Sequence, residues 1–170
     1  MKRQWEKLET CLKSSNPSLL ADLAPPATDA EIVHLEQRIG TTLPADFVAC
    51  LKIHNGQFGD ADGLFSGAEF LSINRMLQEW TIWKELFDAG DFSDAAGMPE
   101  KGICSLWWSP GWIPFTYNGA GDHLCLDLSP TAEGSRGQVI TLWHDDSTRA
   151  KQADSFTAWF SHFTDQLISA

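Results

Sequence analysis

Basic residues are scarce in this chain: 12 Lys and Arg stand against 23 Asp and Glu over 170 residues, for a formal net charge of −11. A nucleic-acid binder works by setting Lys and Arg against phosphates, so direct DNA or RNA binding is disfavoured, and anionic lipid headgroups are repelled for the same reason. Long apolar runs are missing too; none approaches the roughly 18 residues of a membrane span. After Met1-Lys2-Arg3, residues Trp5, Glu6, Leu8, Glu9 and Leu12 are spaced as on a helix. They do not form an apolar core with a small-residue cleavage site, so no signal peptide is read and a cytoplasmic address is expected. The four cysteines, Cys11, Cys50, Cys104 and Cys125, form no C-x-x-C pair and read as reduced thiols, buried or half-buried.

Catalytic signatures are equally thin. Gly119-Ala120-Gly121 has no third glycine at the place a phosphate loop requires and no helix after it, so it reads as a hairpin turn. No G-x-S-x-G elbow occurs, and no cysteine sits in an activating motif. His123, Asp127, His144, Asp145 and Asp146 carry metal and acid-base vocabulary and could gather if their strands were neighbours, as in a metal-assisted hydrolase. They lack tight ligand spacing, so a polar sheet face is the expected outcome. No catalytic residue, metal or cofactor is expected, and the chain is read as a non-enzyme.

What is present is the composition of a globular domain, 43% hydrophobic and 21% charged, at a length that suits one domain with its own core. Helical periodicity marks about Lys2 to Lys13. A second helix opens at the Thr28-Asp29-Ala30-Glu31 capping box and stops at Gly40, and a third follows Pro44 and ends at Asn55-Gly56. A loop over 57–67 leads to a short strand at 69–73 and a tryptophan-heavy helix that Asn74 could cap. Residues 89–101 read as a surface loop, the segment most prone to move. The period then changes to two, with strands at 113–117, 123–128 and 138–143, before a closing helix through Phe156, Trp159, Phe160, Phe163 and Leu167. Short connections favour antiparallel pairing. The expected fold is α+β: a twisted antiparallel β-sheet flanked by N-terminal helices and a C-terminal helix.

Charge and aromatics are unevenly placed. Residues 58–100 hold nine acids against Arg75 and Lys84, so seven of the net negative charges belong to this one segment. Asp60, Asp62, Asp88, Asp91 and Asp94 are its candidates for a directed negative field. Downstream, Trp107, Trp108 and Trp112 surround Ser109-Pro110-Gly111. Two readings are open: accessible anchors for a protein partner, or rings that fill a groove between helix and sheet.

The succession Leu43-Pro44, Phe47, Asn55-Gly56, Trp112-Ile113-Pro114-Phe115, Asn118-Gly119-Ala120-Gly121-Asp122, Leu126-Asp127, Trp143 and Phe156-Trp159-Phe160 resembles the SMI1/KNR4 family of the SUKH superfamily. The resemblance spans roughly residues 25–165, with a divergent, tryptophan-rich stretch at about 74–111. It implies the same α+β fold. It also implies that a bacterial member is an immunity protein neutralising a cognate toxin, often a nuclease, while fungal relatives are regulatory scaffolds for cell-wall synthesis. No family catalytic residues carry over. The positions that match the recurrent signature are Leu43, Pro44, Asn55, Gly56, Trp112, Pro114, Gly119, Gly121, Asp122 and Asp127. The expected partner is therefore a cognate protein toxin, met by the acidic aspartates and the Trp107, Trp108 and Trp112 cluster. The alternative is a small-ligand or regulatory scaffold, with a pocket joining Trp112, Asp122 and Asp127.

Overall fold

Thr28 and Glu31 close the capping box that their spacing predicts. In a computed structural model of the protein, which describes residues 1–169, Glu31 N–H donates to Thr28 Oγ1 (3.2 Å) and Thr28 N–H donates to the Glu31 carboxylate (2.7 Å). The helix so started, α3 (Asp29–Ile39), ends at Gly40. Before it come α1 (Lys2–Ser15), which buries Trp5, Leu8 and Leu12, and α2 (Pro17–Asp22). The periodicity that marks the first helix stops near Lys13 and does not show a second helix before Thr28. Asn16 starts α2, because its side-chain oxygen accepts Leu19 N–H (3.2 Å) while Pro17, which has no N–H to satisfy, sits in the first turn. Pro44 occupies the N-terminal cap position of α4 (Ala45–Leu51).

The second half holds β1 (Glu69–Phe70), α5 (Ile73–Ala89), β2 (Met98–Pro99), β3 (Trp112–Pro114), β4 (Thr116–Tyr117), β5 (His123–Asp127), β6 (Gln138–Leu142), β7 (Thr148–Arg149), β8 (Lys151–Ala153) and α6 (Phe156–Ser169). The main sheet runs β3-β5-β6-β8, antiparallel throughout, so the α+β class is realised as expected. Three details differ from expectation. Ser72, not Asn74, caps α5, its hydroxyl accepting Arg75 N–H at 3.4 Å. The apolar run 113–117 splits at Phe115: β3 joins the main sheet, while β4 pairs with β1. Residues 89–101 are tethered, since Met98–Pro99 pair in parallel with Thr148–Arg149 and Phe92 packs on Trp83 with ring centroids 5.8 Å apart.

Directly opposed residues of the sheet share a face, so Leu124, Leu126, Ile113, Val139 and Thr141 look one way and His123, Cys125, Trp112, Ile140 and Leu142 the other. The first face meets α6, where Phe156 and Phe160 pack with Phe115, Phe47 and Trp159. The second meets α5. Each large apolar side chain removed from water contributes roughly 1.5–3 kcal/mol, so both helices are held chiefly by these stripes.

Candidate functional site: a partner-binding surface

The buried stripe of α5 is Ile73, Met76, Trp80 and Trp83, and its indoles define one layer of the protein. Trp83 stacks on Trp108 (6.4 Å, 11° between planes), Trp80 and Phe87 lean on the same ring, and Trp80 Nε1–H donates to Pro110 O at 2.9 Å. Trp108 and Trp112 are 1% and 0% exposed. This corrects the expectation that they are anchors: they fill the space between helix and sheet, because the period-2 face of β3 turns Trp112 inward. Trp107 is half-buried, with the Arg149 guanidinium 5.3 Å from its ring. Arg149 itself is fully buried and donates to the carbonyls of Asp146, Thr148 and Trp107.

The opposite side of the same helix is open. Ile82 (53%) and Leu86 (38%) are exposed there, and Phe87, at the end of the inner stripe, packs one edge on Trp108 and leaves 37% of its surface in solvent, with Met98 and Leu106 exposed on the segments that follow. Around the helix's C-terminal end stand Glu85, Asp88, Asp91 and Asp94, all exposed, against Lys84, which is bound to Asp88. The carbonyls that end the helix add a partial negative charge there. Asp60 and Asp62 do not join this group. Their loop is tied through Gln57, which donates to Asp62 O and accepts Phe70 N–H, to β1 just before α5 begins, and α5, at 17 residues, is about 25 Å long. The expected single acidic field is thus two fields at opposite ends of a helix, with Glu69 and Glu79 between them tied to Arg75.

The Asp60–Asp62 loop depends on Gln57 and Asp22, which lie outside the candidate residues. Buried Gln57 accepts N–H bonds from Leu64 and Phe70 and donates to Asp22 and to Asp62 O, which uses its whole amide. Burial pushes the Asp22 carboxyl up, but N–H bonds from Asp60, Gln57 and Gly59 outweigh it and hold it below the ordinary value. Only the folded contacts reveal either residue; an Asp and a Gln 35 positions apart carry no local signal.

The signature positions are joints of the framework. Leu43 is buried; Asn55 bridges α3 and α5 through Glu31 and Ile73; Gly56 lies against the backbone of Leu71 and Ser72. Pro114 is buried in β3, and the Gly119 and Gly121 turn is held by Asn118 Oδ1, which accepts N–H bonds from Ala120 and Asp122. Asp127 is 0% exposed and accepts from Gln138 Nε2 (2.9 Å) and Ser129 N (3.0 Å); its burial raises its carboxyl pKa.

The acid-base vocabulary does not assemble. His123 and Asp127 terminate β5 at opposite ends, and His123 faces α5. Asp122, His144 and Asp145 do come together, on the exposed side of the β5–β6 end, where His144 Nδ1 is hydrogen-bonded to the Asp122 carboxylate at 2.9 Å. Nor does a pocket join Trp112, Asp122 and Asp127, since Trp112 and Asp127 are sealed from solvent.

The model of the SMI1 / KNR4 family (SUKH-1) matches residues 26–162. The chain belongs to the SMI1/KNR4 family. Relatives within reach of this SUKH-1 chain include the "Cell wall assembly regulator SMI1" of Saccharomyces cerevisiae, 23% identical over 96% of this chain and 39% of its own length. The "Cell wall biosynthesis/cell cycle regulator smi1" of Schizosaccharomyces pombe is 28% identical over 89% of this chain and 33% of its own. The "Glucan synthesis regulatory protein" of Neurospora crassa is 25% identical over 97% and 38%. This SMI1/KNR4 chain therefore spans between a third and two fifths of those proteins. The limits of the match enclose residues 74–111, which carry the α5 surface. Among the described residues no helix is long and apolar enough to cross a membrane.

Proposed function

We propose that this chain is a binding module without chemistry of its own, and that the C-terminal end of α5 docks a basic partner protein. In a bacterial setting the partner is a toxin, neutralised by occlusion. The observation that carries the reading is the coincidence, at one helix end, of exposed Leu86 and Phe87 with Glu85, Asp88, Asp91 and Asp94. Apolar side chains on such a patch supply affinity once water is excluded, while clustered carboxylates accelerate encounter with a basic cleft and reject acidic surfaces. Co-expression with the toxin-like product of the adjacent gene tests it. Relief of growth arrest and a co-purifying complex are expected, both abolished by Leu86→Asp, a substitution on the open side of α5; unrelieved arrest with no complex overturns the reading.

A second reading, a regulatory scaffold, is favoured by the fungal relatives, whose names describe regulators of cell-wall assembly and glucan synthesis. Under it, the chain restores growth under wall stress to a yeast strain deleted for its own family member. Under the toxin reading it does not.

A further inference from the structure

Phe65 and Leu124 form the common wall of two adjoining concavities on the α6 side of the sheet. The smaller, about 140 Å³, is completed by Ala68, Asn118, Asp122 and Trp143. The larger, about 430 Å³, opens beside it between Ser66, Gln152, Trp159, His162, Phe163 and Gln166. Neither is lined by a lysine or arginine. The fixed charge in the smaller one is the Asp122 carboxylate. One of its oxygens accepts both the main-chain N–H (3.0 Å) and Nδ1–H (2.9 Å) of His144, and the other accepts Asn118 Nδ2 (2.7 Å), which leaves that second oxygen one acceptor position. Asp145, three-quarters exposed, stands 4.0 Å from His144 Nδ1 and adds a second negative charge next to Asp122.

Two further features mark the groove. Trp143, one residue beyond β6, points to the same α6 side as Val139 and Thr141 but lies past the strand's covered part and is 41% exposed. Ser66, on the rim, sits at φ 56, a left-handed conformation that a non-glycine residue adopts at a cost and that clusters at ligand sites.

We propose that this groove receives an extended segment of a partner protein, with an arginine side chain in the smaller cavity, stacked on Trp143 and donating to Asp122. A guanidinium is flat, matches an indole face and delivers charge-assisted hydrogen bonds to a carboxylate. The cavity has the size of one long side chain, and an apolar neighbour on the same segment would lie in the larger concavity against Phe65 and Trp159, whose rings are already in contact with each other (centroids 4.9 Å apart). The site is on the opposite face of the sheet from α5, so it stands or falls apart from the docking surface proposed above.

The test is an NMR titration of the full chain with acetyl-Leu-Arg-Leu-amide, compared with the neutral citrulline isostere and with the lysine peptide. Saturable shifts at the Trp143 indole N–H and at the amides of Asp122 and Leu124 are expected, with the citrulline peptide at least roughly tenfold weaker for loss of its charge-assisted contact. Trp143→Ala, an exposed position, should weaken the arginine peptide while leaving the fold intact, and Asp88→Asn with Asp91→Asn should not alter it. Equal binding of the citrulline peptide, shifts that follow the α5 end, or indifference to Trp143→Ala overturns the proposal. A lysine peptide that binds as well as arginine overturns the assignment of arginine.

Discussion

Trp83 Nε1–H donates to His123 Nε2 across 3.3 Å, and this bond ties α5 to the main sheet only while the imidazole is neutral. The tautomer follows from the other side of the ring, where Nδ1 lies 2.7 Å from Thr116 O and must carry the proton. Burial lowers the His123 pKa below 6.5, against raising contributions from Thr116, Glu79 (4.0 Å away) and Asp122. The unfolded chain takes up that proton near pH 6.5 and the folded chain only further down. This residue's contribution is therefore complete above pH 6.5 and is lost as pH falls toward the lower folded pKa. Thermal melts at pH 7.5 and 5.5 should show a larger fall for the wild type than for His123→Gln. His144, raised by its bond to Asp122, acts with the opposite sign in both proteins and cancels from the comparison.

Two signature glycines are there for different reasons, and substitution separates them. A Cβ on Gly56 would lie 2.3 Å from Ser72 N and 2.5 Å from Leu71 C, both backbone atoms that cannot give way, and φ is +75°. Gly119 has φ +84° but open space around it. Gly119→Ala is expected to cost about 1–2 kcal/mol, the left-handed penalty alone. Gly56→Ala should cost more than about 3 kcal/mol, or prevent folding, because the junction between α4 and α5 must also separate. Urea midpoints measure both. Equal costs would refute the close-packing explanation.

Arg149 is buried with no carboxylate in salt-bridge range among the described residues, held by three carbonyls and by the rings of Trp107 (5.3 Å) and Trp112 (5.9 Å). Arg149→Met leaves those carbonyls without donors and is expected to destabilise by about 2–4 kcal/mol. Arg149→Lys keeps a charge that points but does not fork, and should fall between. Denaturant unfolding followed by tryptophan fluorescence reports both, and a Met variant as stable as wild type would show that the stacked rings, not the carbonyls, hold this layer together.

At the end of α5, Asp88→Asn, Asp91→Asn and Asp94→Asn combined should leave the melting temperature within a degree or two, since Asp88 alone is paired and its bond to Lys84 is an exposed i,i+4 contact. Association with a basic partner should slow by roughly tenfold at low salt and lose most of its salt dependence, with dissociation little changed. Stopped-flow or biosensor rates at two ionic strengths decide the point; an unchanged on-rate places the partner elsewhere.

Much of this fold is legible in the chain because local rules write it. The Thr28–Glu31 box, the Trp5–Leu8–Leu12 stripe and the alternation of β5 each depend on residues within a turn or two of one another. The misses share the opposite property. That α2 begins at Asn16, and that Met98–Pro99 add to Thr148–Arg149, required partners or cap geometry that periodicity does not record.

The sequence by itself determined the family, the α+β class and the excess of negative charge, because family signature, element type and net charge are sums over local residue identity. Only the tertiary structure decided what the charge and the tryptophans are for. The 25 Å length of α5 parts Asp60 and Asp62 from Asp88, Asp91 and Asp94, although all five lie in one acidic segment. The face on which β3 presents Trp112, and the packing of Trp108 beneath α5, take the tryptophan cluster out of solvent, while Trp143, one residue beyond β6, is left in it. Exposure belongs to the packed layers, where a helix length and a strand's parity act together, and no single stretch of chain holds both.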